Sequence, residues 1–433
     1  MGARGRPQGR TQGNNGLVFR QQALGERHSF VVRLSSMVNL LICESGMGYG
    51  GSASYLYSFL SHLDRHTFHP TVLFYKRGAG PFIRKIQESD AEVEFLSSEE
   101  RYTQPRHSTF PFIKHIQIIF AILKQNFIPV LRLIAMIKKG KIDLVLLNQD
   151  VIYHMPAILA AAIARVPCVV RKGGVGVHNP GKRMWKMLSS FPKVFIASSH
   201  AEYNFHTESG FPYKKMVVIF EGVDVEAFKP GQKTQALHDE FGIAPGIQLI
   251  GLISRIDEGK GHEDVIGAAS IVLREFPDAV FLIVGDEDKS IMSNLLNQVK
   301  SSGLEGKVIF TGWRKDTSEI LKEIDIFVHC PNTWREGMGI ATLEALASAK
   351  PVVITDNWGL SDTTQHGFNG FVVPIGHRGK IADGILSLLR DRQLRMKMGA
   401  NSRLRACELF DITKNIKSIE HIMLETLSFS KAP

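Results

Sequence analysis

Arg335-Glu336-Gly337-Met338-Gly339-Ile340-Ala341-Thr342-Leu343-Glu344-Ala345-Leu346-Ala347 is the stretch on which the reading of this 433-residue chain turns. Just upstream, Asp325-Ile326-Phe327-Val328-His329-Cys330-Pro331 is a short apolar run stopped by proline, the pattern of a strand buried in a parallel sheet. Downstream, residues 340–349 put Leu343, Leu346 and Ala347 on one face at helical spacing, which predicts a helix. Gly337 and Gly339 therefore fall at a strand-to-helix turn. There the backbone can approach a ligand closely, and the helix N-terminus offers N–H groups to an anion. Glu336 stands at the mouth of the turn, able to accept hydrogen bonds from hydroxyls. Glu344 lies roughly 80° around the helix axis from it and two turns deeper. A carboxylate for a polyol, a turn for an anion and a second carboxylate for another diol together outline a nucleotide sugar.

Outward from this stretch the chain alternates strands and helices. Residues 248–253 read as a strand that empties into Ser254-Arg255-Ile256-Asp257-Glu258-Gly259-Lys260-Gly261, a loop opening a helix over 262–274. Further strands are expected at 280–284, 307–311, 352–355 and 371–373, helical sequence from Arg378 to Phe410, and a last helix from Ile412 to Leu427. In the first half, strands are expected at 38–43, 71–75, 93–96, 144–147, 168–170, 194–199 and from 217. Val38 to Cys43 is followed by the glycine loop Glu44-Ser45-Gly46-Met47-Gly48-Tyr49-Gly50-Gly51-Ser52 and a helix over 53–63. Strand, glycine turn and helix in that order is the Rossmann arrangement. Its spacing is not the dinucleotide fingerprint, and no acid stands at a strand end about 20 residues on.

Composition narrows the classes. A hydrophobic fraction of 44% and a charged fraction of 22% are those of an ordinary globular protein. The net charge is +10, but the first 37 residues hold six arginines and only Glu26, so the body is mildly basic and a nucleic-acid partner is not expected. The four cysteines are far apart without a CxxC pair, which argues against structural zinc and for reduced thiols. Residues 1–36 are rich in Gly, Arg and Gln without an apolar period and are expected to form a disordered basic leader. Met37 directly precedes a good strand, so this leader is read as an upstream extension of the reading frame, which an intact mass would test. Phe110 to Lys141 mixes apolar and basic residues around Pro129, in apolar runs too short to span a bilayer. Two readings stay open for it: helices packed on the sheet with lysines outward, or an interfacial helix on an anionic membrane surface.

Glu336-Gly-Met-Gly-Ile-Ala-Thr-Leu-Glu344-Ala, followed by Lys350-Pro351-Val352-Val353, resembles the Glu-x7-Glu motif of the retaining glycosyltransferases of family 4. Arg255 and Lys260-Gly261 resemble that family's Arg…Lys-Gly pair. Glu221-Gly-Val-Asp-Val-Glu-Ala-Phe228 resembles its Asn-Gly-Val-Asp-x-x-x-Phe entry into the second domain, with Glu221 where Asn is more usual. The likeness covers residues 38–425 and is strongest from 248 to 374.

What the resemblance implies is an α/β protein of the GT-B fold: two Rossmann-like domains with parallel sheets facing a cleft, and a C-terminal helix crossing back. Residues 37–215, with 411–433, would form the acceptor domain, and 216–410 the donor domain. The implied activity moves a hexose from a UDP- or GDP-linked donor to an acceptor hydroxyl with retention, without metal or other cofactor. By family analogy this belongs to polysaccharide or lipid-linked glycan synthesis, on a glycan or lipid-linked acceptor, in the cytoplasm or peripherally at the inner face of its membrane. Arg255 and Lys260 would grip the departing diphosphate, whose growing charge two cations stabilise. Glu336 would bind the donor sugar and Glu344 the ribose, with Gly50, Gly51 and Gly337, Met338, Gly339 and Ile340 lining the donor. Trp313 and Arg314 would lie near the base, with Trp313 either stacking or packing in the core. The family often carries a histidine at the end of the 168–170 strand; here Arg171 and Lys172 occupy that place, which would suit an anionic acceptor. Two other readings remain, a sugar-nucleotide 2-epimerase of the same fold and a catalytically degenerate nucleotide-sugar-binding scaffold.

Overall fold

The computed structural model describes residues 37–45, 51–75, 81–96, 127–149, 151–172, 187–209, 215–286, 289–333 and 336–431. The expected leader, the loop through Gly50 and the first half of the Phe110–Lys141 stretch lie outside the described residues.

Continuous apolar runs become strands covered on both faces, as parallel sheets require. Seven strands make the first sheet: β1 (Val38–Glu44), β2 (Phe68–Phe74), β3 (Glu92–Phe95), β4 (Leu144–Asn148), β5 (Cys168–Lys172), β6 (Val194–Ala197) and β7 (Met216–Val218). Their spatial order is β3-β2-β1-β4-β5-β6-β7, with every pairing parallel. Six more form the second sheet: β8 (Leu249–Ile253), β9 (Val280–Val284), β10 (Val308–Gly312), β11 (Ile326–His329), β12 (Val352–Thr355) and β13 (Gly370–Val373). They run β10-β9-β8-β11-β12-β13, again all parallel. Both sheets thus carry the 3-2-1-4-5-6 Rossmann order. Their direction of growth reverses between β1 and β4 in one and between β8 and β11 in the other, and ligands of such sheets bind at those reversals.

Each sheet is sealed by its own core. Leu41, Val145, Leu147, Val170 and Phe195 belong to one face of the first. Ile250, Leu252, Phe281 and Val328 serve one face of the second, and Leu249, Leu282, Phe327 and Leu346 the other. Burying such a side chain contributes about 1.5–3 kcal/mol.

Two details refine the sequence reading. The domain boundary, expected near residues 215–232, comes after β7, which pairs with β6 and so belongs to the first sheet. The helical stretch from Arg378 is two helices, Arg378–Arg390 and Arg392–Leu409, broken where the Asp391 side chain caps the second by accepting the Leu394 N–H.

After Val218 the chain enters the second sheet through Val223, and it leaves again beside the same residue. Val223 N–H donates to Phe410 O at 2.7 Å and Ile412 N–H to Val223 O at 3.0 Å, so the two crossings run side by side. The last helix, Ile412–Lys431, buries Ile412, Ile416, Ile419, Met423 and Leu427 at helical spacing. It packs on the first-sheet helix Gly51–His62, where Glu420 Oε1 accepts the Asp64 N–H at 2.7 Å. Among the described residues no helix is long and apolar enough to cross a membrane.

Candidate functional site

The site is built at the reversal of the second sheet. β8 delivers Ser254 and Arg255, and the loop after them ends at Gly261, whose left-handed backbone (φ 75°) starts the helix His262–Val272. β11 delivers His329, and a second loop ends at Gly339, which starts the helix Ile340–Ala347. Gly339 has φ 66°, and a Cβ there would stand 2.8 Å from His329 Cε1, so both backbone sign and space demand glycine. Two helix N-termini therefore meet at one reversal, with N–H groups and dipoles suited to an anion.

Lys260 and Glu336 come together across this gap, Nζ to Oε2 at 2.7 Å, both mostly covered. Asn357, fully buried after β12, fixes the second loop: its Oδ1 accepts the Glu336 N–H at 2.8 Å, and its Nδ2 donates to the carbonyls of Pro331 and Thr333. Thr355 Oγ1 adds a bond to Pro331 O at 2.9 Å. Beneath the pair lie two buried imidazoles. His329 Nδ1 is 2.8 Å from Thr342 Oγ1 and His262 Nε2 is 3.2 Å from Ser254 Oγ, while His329 Nε2 and His262 Nδ1 have no partner. Burial, with Lys260 nearby, pushes His329 down to about 4; burial, then His329 and Lys260, does the same to His262. Both are neutral at pH 7. Glu344, one turn into its helix, is pushed up to about 8 by burial and at pH 7 is largely protonated, able to donate as well as accept.

Other expected residues are placed differently. Arg255 points outward, its guanidinium 2.7 Å from Asp257. Met338 is buried, its Sδ accepting the Glu221 N–H at 3.3 Å, so only the backbone of that residue is available to line a site. Gly337 and Ile340 are partly exposed beside it. Trp313 is 69% exposed after β10, which rules out core packing. Arg314 is held by Asp316 at 2.7 Å and Glu240 at 2.5 Å, and those bonds raise its pKa.

Comparison with known proteins decides what this constellation belongs to. Residues 233–405 match the family model described as "Glycosyl transferases group 1", and residues 49–227 match "Glycosyltransferase Family 4". The two matches are consecutive and cover most of the chain. The chain belongs to the group 1, family 4 glycosyltransferases.

Among relatives of this glycosyltransferase, N-acetyl-alpha-D-glucosaminyl L-malate synthase of Bacillus anthracis is 29% identical over 55% of this chain and 61% of the relative. UDP-Gal:alpha-D-GlcNAc-diphosphoundecaprenol alpha-1,3-galactosyltransferase of Escherichia coli is 26% identical over 67% of this chain and 77% of the relative. The alignment with the first thus spans about three fifths of that relative's length. A crystal structure of HepE from Anabaena in complex with UDP superposes with a TM-score of 0.74 over 90% of this chain and all of that one, at 22% identity, a likeness of fold.

The facing wall of the glycosyltransferase, at the reversal of its first sheet, corrects one expectation. Arg171 is not open to an anionic acceptor. It is buried, with Nη1 donating to Asn148 Oδ1 at 2.8 Å, Nη2 to Glu221 Oε1 at 3.2 Å, and its guanidinium 3.4 Å over the Tyr55 ring. Asn148 continues the chain by donating to Glu44 Oε2 at 2.5 Å. A cation so engaged is structural. Lys172 ends β5, with its side chain outside the described residues, and Gly51 is the first residue of its helix rather than part of a loop. The sequence reading gave no site role to His262, His329 or Asn357, and noted Glu221 only as a departure from the family's motif. The signal available was position: His329 ends a buried strand, Asn357 and Glu221 closely follow buried apolar runs, and His262 opens the helix after the glycine loop.

Proposed function

We propose that this glycosyltransferase moves a hexose from a UDP- or GDP-linked donor to an acceptor hydroxyl with retention of configuration, in polysaccharide or lipid-linked glycan synthesis. The observation that carries the donor assignment is the Lys260–Glu336 pair at 2.7 Å between two helix N-termini. A nucleotide sugar exchanges that pair for two better ones. Its diphosphate takes Lys260, the N–H groups at residues 337–340 and Arg255 released from Asp257, while a sugar hydroxyl takes the Glu336 carboxylate. Charge building on the leaving diphosphate then meets fixed donors, which stabilise the transition state more than the ground state. Glu344 binds the ribose diol. The exposed Trp313 serves the base as a stacking surface, and Arg314 fixes the turn beneath it.

The first sheet is assigned the acceptor, with Lys172 its candidate cation and Gly50 and Gly51 near the donor phosphates. The E. coli relative is named for transfer to a diphosphoundecaprenol-linked sugar, which supports a lipid-linked acceptor. A membrane-facing surface fits that reading. In the described part of the Phe110–Lys141 stretch, a helix over residues 127–139, Phe127 (58%), Ile128 (43%) and Leu131 (51%) are exposed, and Lys138 and Lys139 follow them along the same helix. Apolar side chains flanked by cations suit the anionic inner face of a cytoplasmic membrane.

Calorimetry or thermal unfolding with UDP, GDP and their sugars, with and without divalent metal, tests the donor site. A ligand at a hundred times its Kd adds about 2.7 kcal/mol. One base should give a shift that Lys260→Ala abolishes; no shift with any nucleotide would refute the reading. Product formed without any acceptor would point instead to an epimerase.

A further inference from the structure

The 3-10 turn Trp358–Thr363, just after β12, lies between the loop that carries Glu336, here called the donor loop after the assignment above, and the first sheet's helix at His200. On one side its leading residue, Asn357, holds the Glu336 N–H. On the other side Asp362 Oδ2 accepts the His200 N–H at 2.6 Å, and Oδ1 lies 3.5 Å from His200 Nδ1. His200 begins the first-sheet helix His200–Glu208, whose own cap, Ser199 Oγ, accepts the Glu202 N–H. A carboxylate of one half of the molecule therefore completes the capping of a helix in the other.

The turn is thin and stiff. A Cβ on Gly359 would meet Ser199 Oγ at 3.1 Å and the Gly337 carbonyl carbon at 3.2 Å, so at this point little more than one glycine separates the first sheet's helix from the donor loop. Trp358 stacks edge-on to Phe205 of that helix, with centroids 5.2 Å apart. Inside the turn, Leu360 N–H donates to Asn357 O at 2.9 Å and Asn357 N–H to Ser361 Oγ at 2.9 Å. Arg405 clamps its far end, donating to Asp362 O at 2.8 Å and Thr363 O at 3.0 Å. Displacement at Asp362 has no slack to absorb it before Asn357.

We propose that Asp362 is a positioning residue for Glu336: by binding the N-terminus of the His200–Glu208 helix it makes the placement of the Glu336 carboxylate depend on the approach of the two halves. Closure on the correct acceptor then sets the donor-sugar carboxylate, and opening lets it drift. The kinetic part of this inference rests on the donor assignment above; the coupling between the turn and the helix does not.

The test uses the whole chain carrying Asp362→Ala or Asp362→Glu. Three quantities are read: amide hydrogen exchange in residues 200–208, the Kd for UDP and GDP, and release of nucleoside diphosphate from the matching nucleotide sugar, with water or acceptor taking the sugar. Asp362→Ala should speed exchange at residues 200–203 and lower turnover about tenfold or more, while Kd moves by less than about threefold, because misplaced geometry costs rate before ground-state binding. Asp362→Glu, which keeps the carboxylate, should recover most of the turnover. Unchanged exchange overturns the proposal, as does a Kd that weakens as much as turnover falls. Should the unaltered chain bind neither nucleotide, the donor assignment fails and the exchange measurement alone still decides the coupling.

Discussion

The two sheets share one strand order, yet their reversal points differ in electrical character. At β8 and β11 the charged pairs keep a side open to solvent: Lys260 holds Glu336 at 2.7 Å with part of each side chain exposed, and Arg255 is turned outward to Asp257. At β1 and β4 they are sunk and spoken for, in a run from Glu44 through Asn148 and Arg171 to Glu221. A pair with an open side suits a site that must release a cation to each incoming diphosphate. A sunken run suits a wall that must not yield, since removing one partner strands the other in a poor dielectric. Rossmann topology supplies the location in both cases, and burial decides whether the charges there work on a ligand or on the fold.

The contrast can be broken by mutation, beginning with the largest effect. Arg171→Leu leaves Glu221 buried without its cation and should cost about 3–5 kcal/mol in denaturant unfolding, most of it recovered when Glu221→Met is added. A loss under about 1 kcal/mol would mean that water reaches the run and the contrast is false. Glu336→Gln should do the reverse, lowering turnover about a hundredfold, close to 2.7 kcal/mol of activation free energy, with the unfolding curve unmoved.

A finer test uses pH, because the buried groups of the second reversal titrate with opposite signs. His262 and His329 fall from 6.5 to about 4 in the folded chain. Their contribution to stability is complete above about 6.5 and is lost as pH falls toward 4. Glu344 rises from 4.5 to about 8, so its contribution is complete below about 4.5 and is lost as pH climbs through 8. His329→Asn should therefore flatten the acid limb of the stability profile by about 2 kcal/mol, and Glu344→Gln the alkaline limb by about 1–2 kcal/mol, the smaller figure reflecting the partial exposure Glu344 keeps. Both limbs unchanged would place these groups in contact with water.

Much of this was legible in the amino-acid order, for a physical reason. Doubly covered parallel strands need unbroken apolar runs such as Leu249–Ile253 and Val280–Val284, and those stand out in any sequence. Glycines at strand-to-helix turns mark where a ligand can enter, so Gly339 and its neighbours were also visible. Partnership was not. Arg171 looks like an available cation until the fold brings Glu221, 50 residues on, against it. Nothing in the order of residues ties Asp362 to a helix 162 positions earlier, because that contact exists only once both sheets have formed and met.

The return of the last helix has a bearing on how the molecule is made. Ile412–Lys431 covers the Gly51–His62 helix, so the half synthesised first lacks part of its packing until the whole second sheet has left the ribosome. During that interval the apolar face that will receive Ile416, Ile419 and Met423 is exposed to whatever else is in reach. The early half is therefore the part whose packing is completed last, when the Ile412–Lys431 helix docks on it.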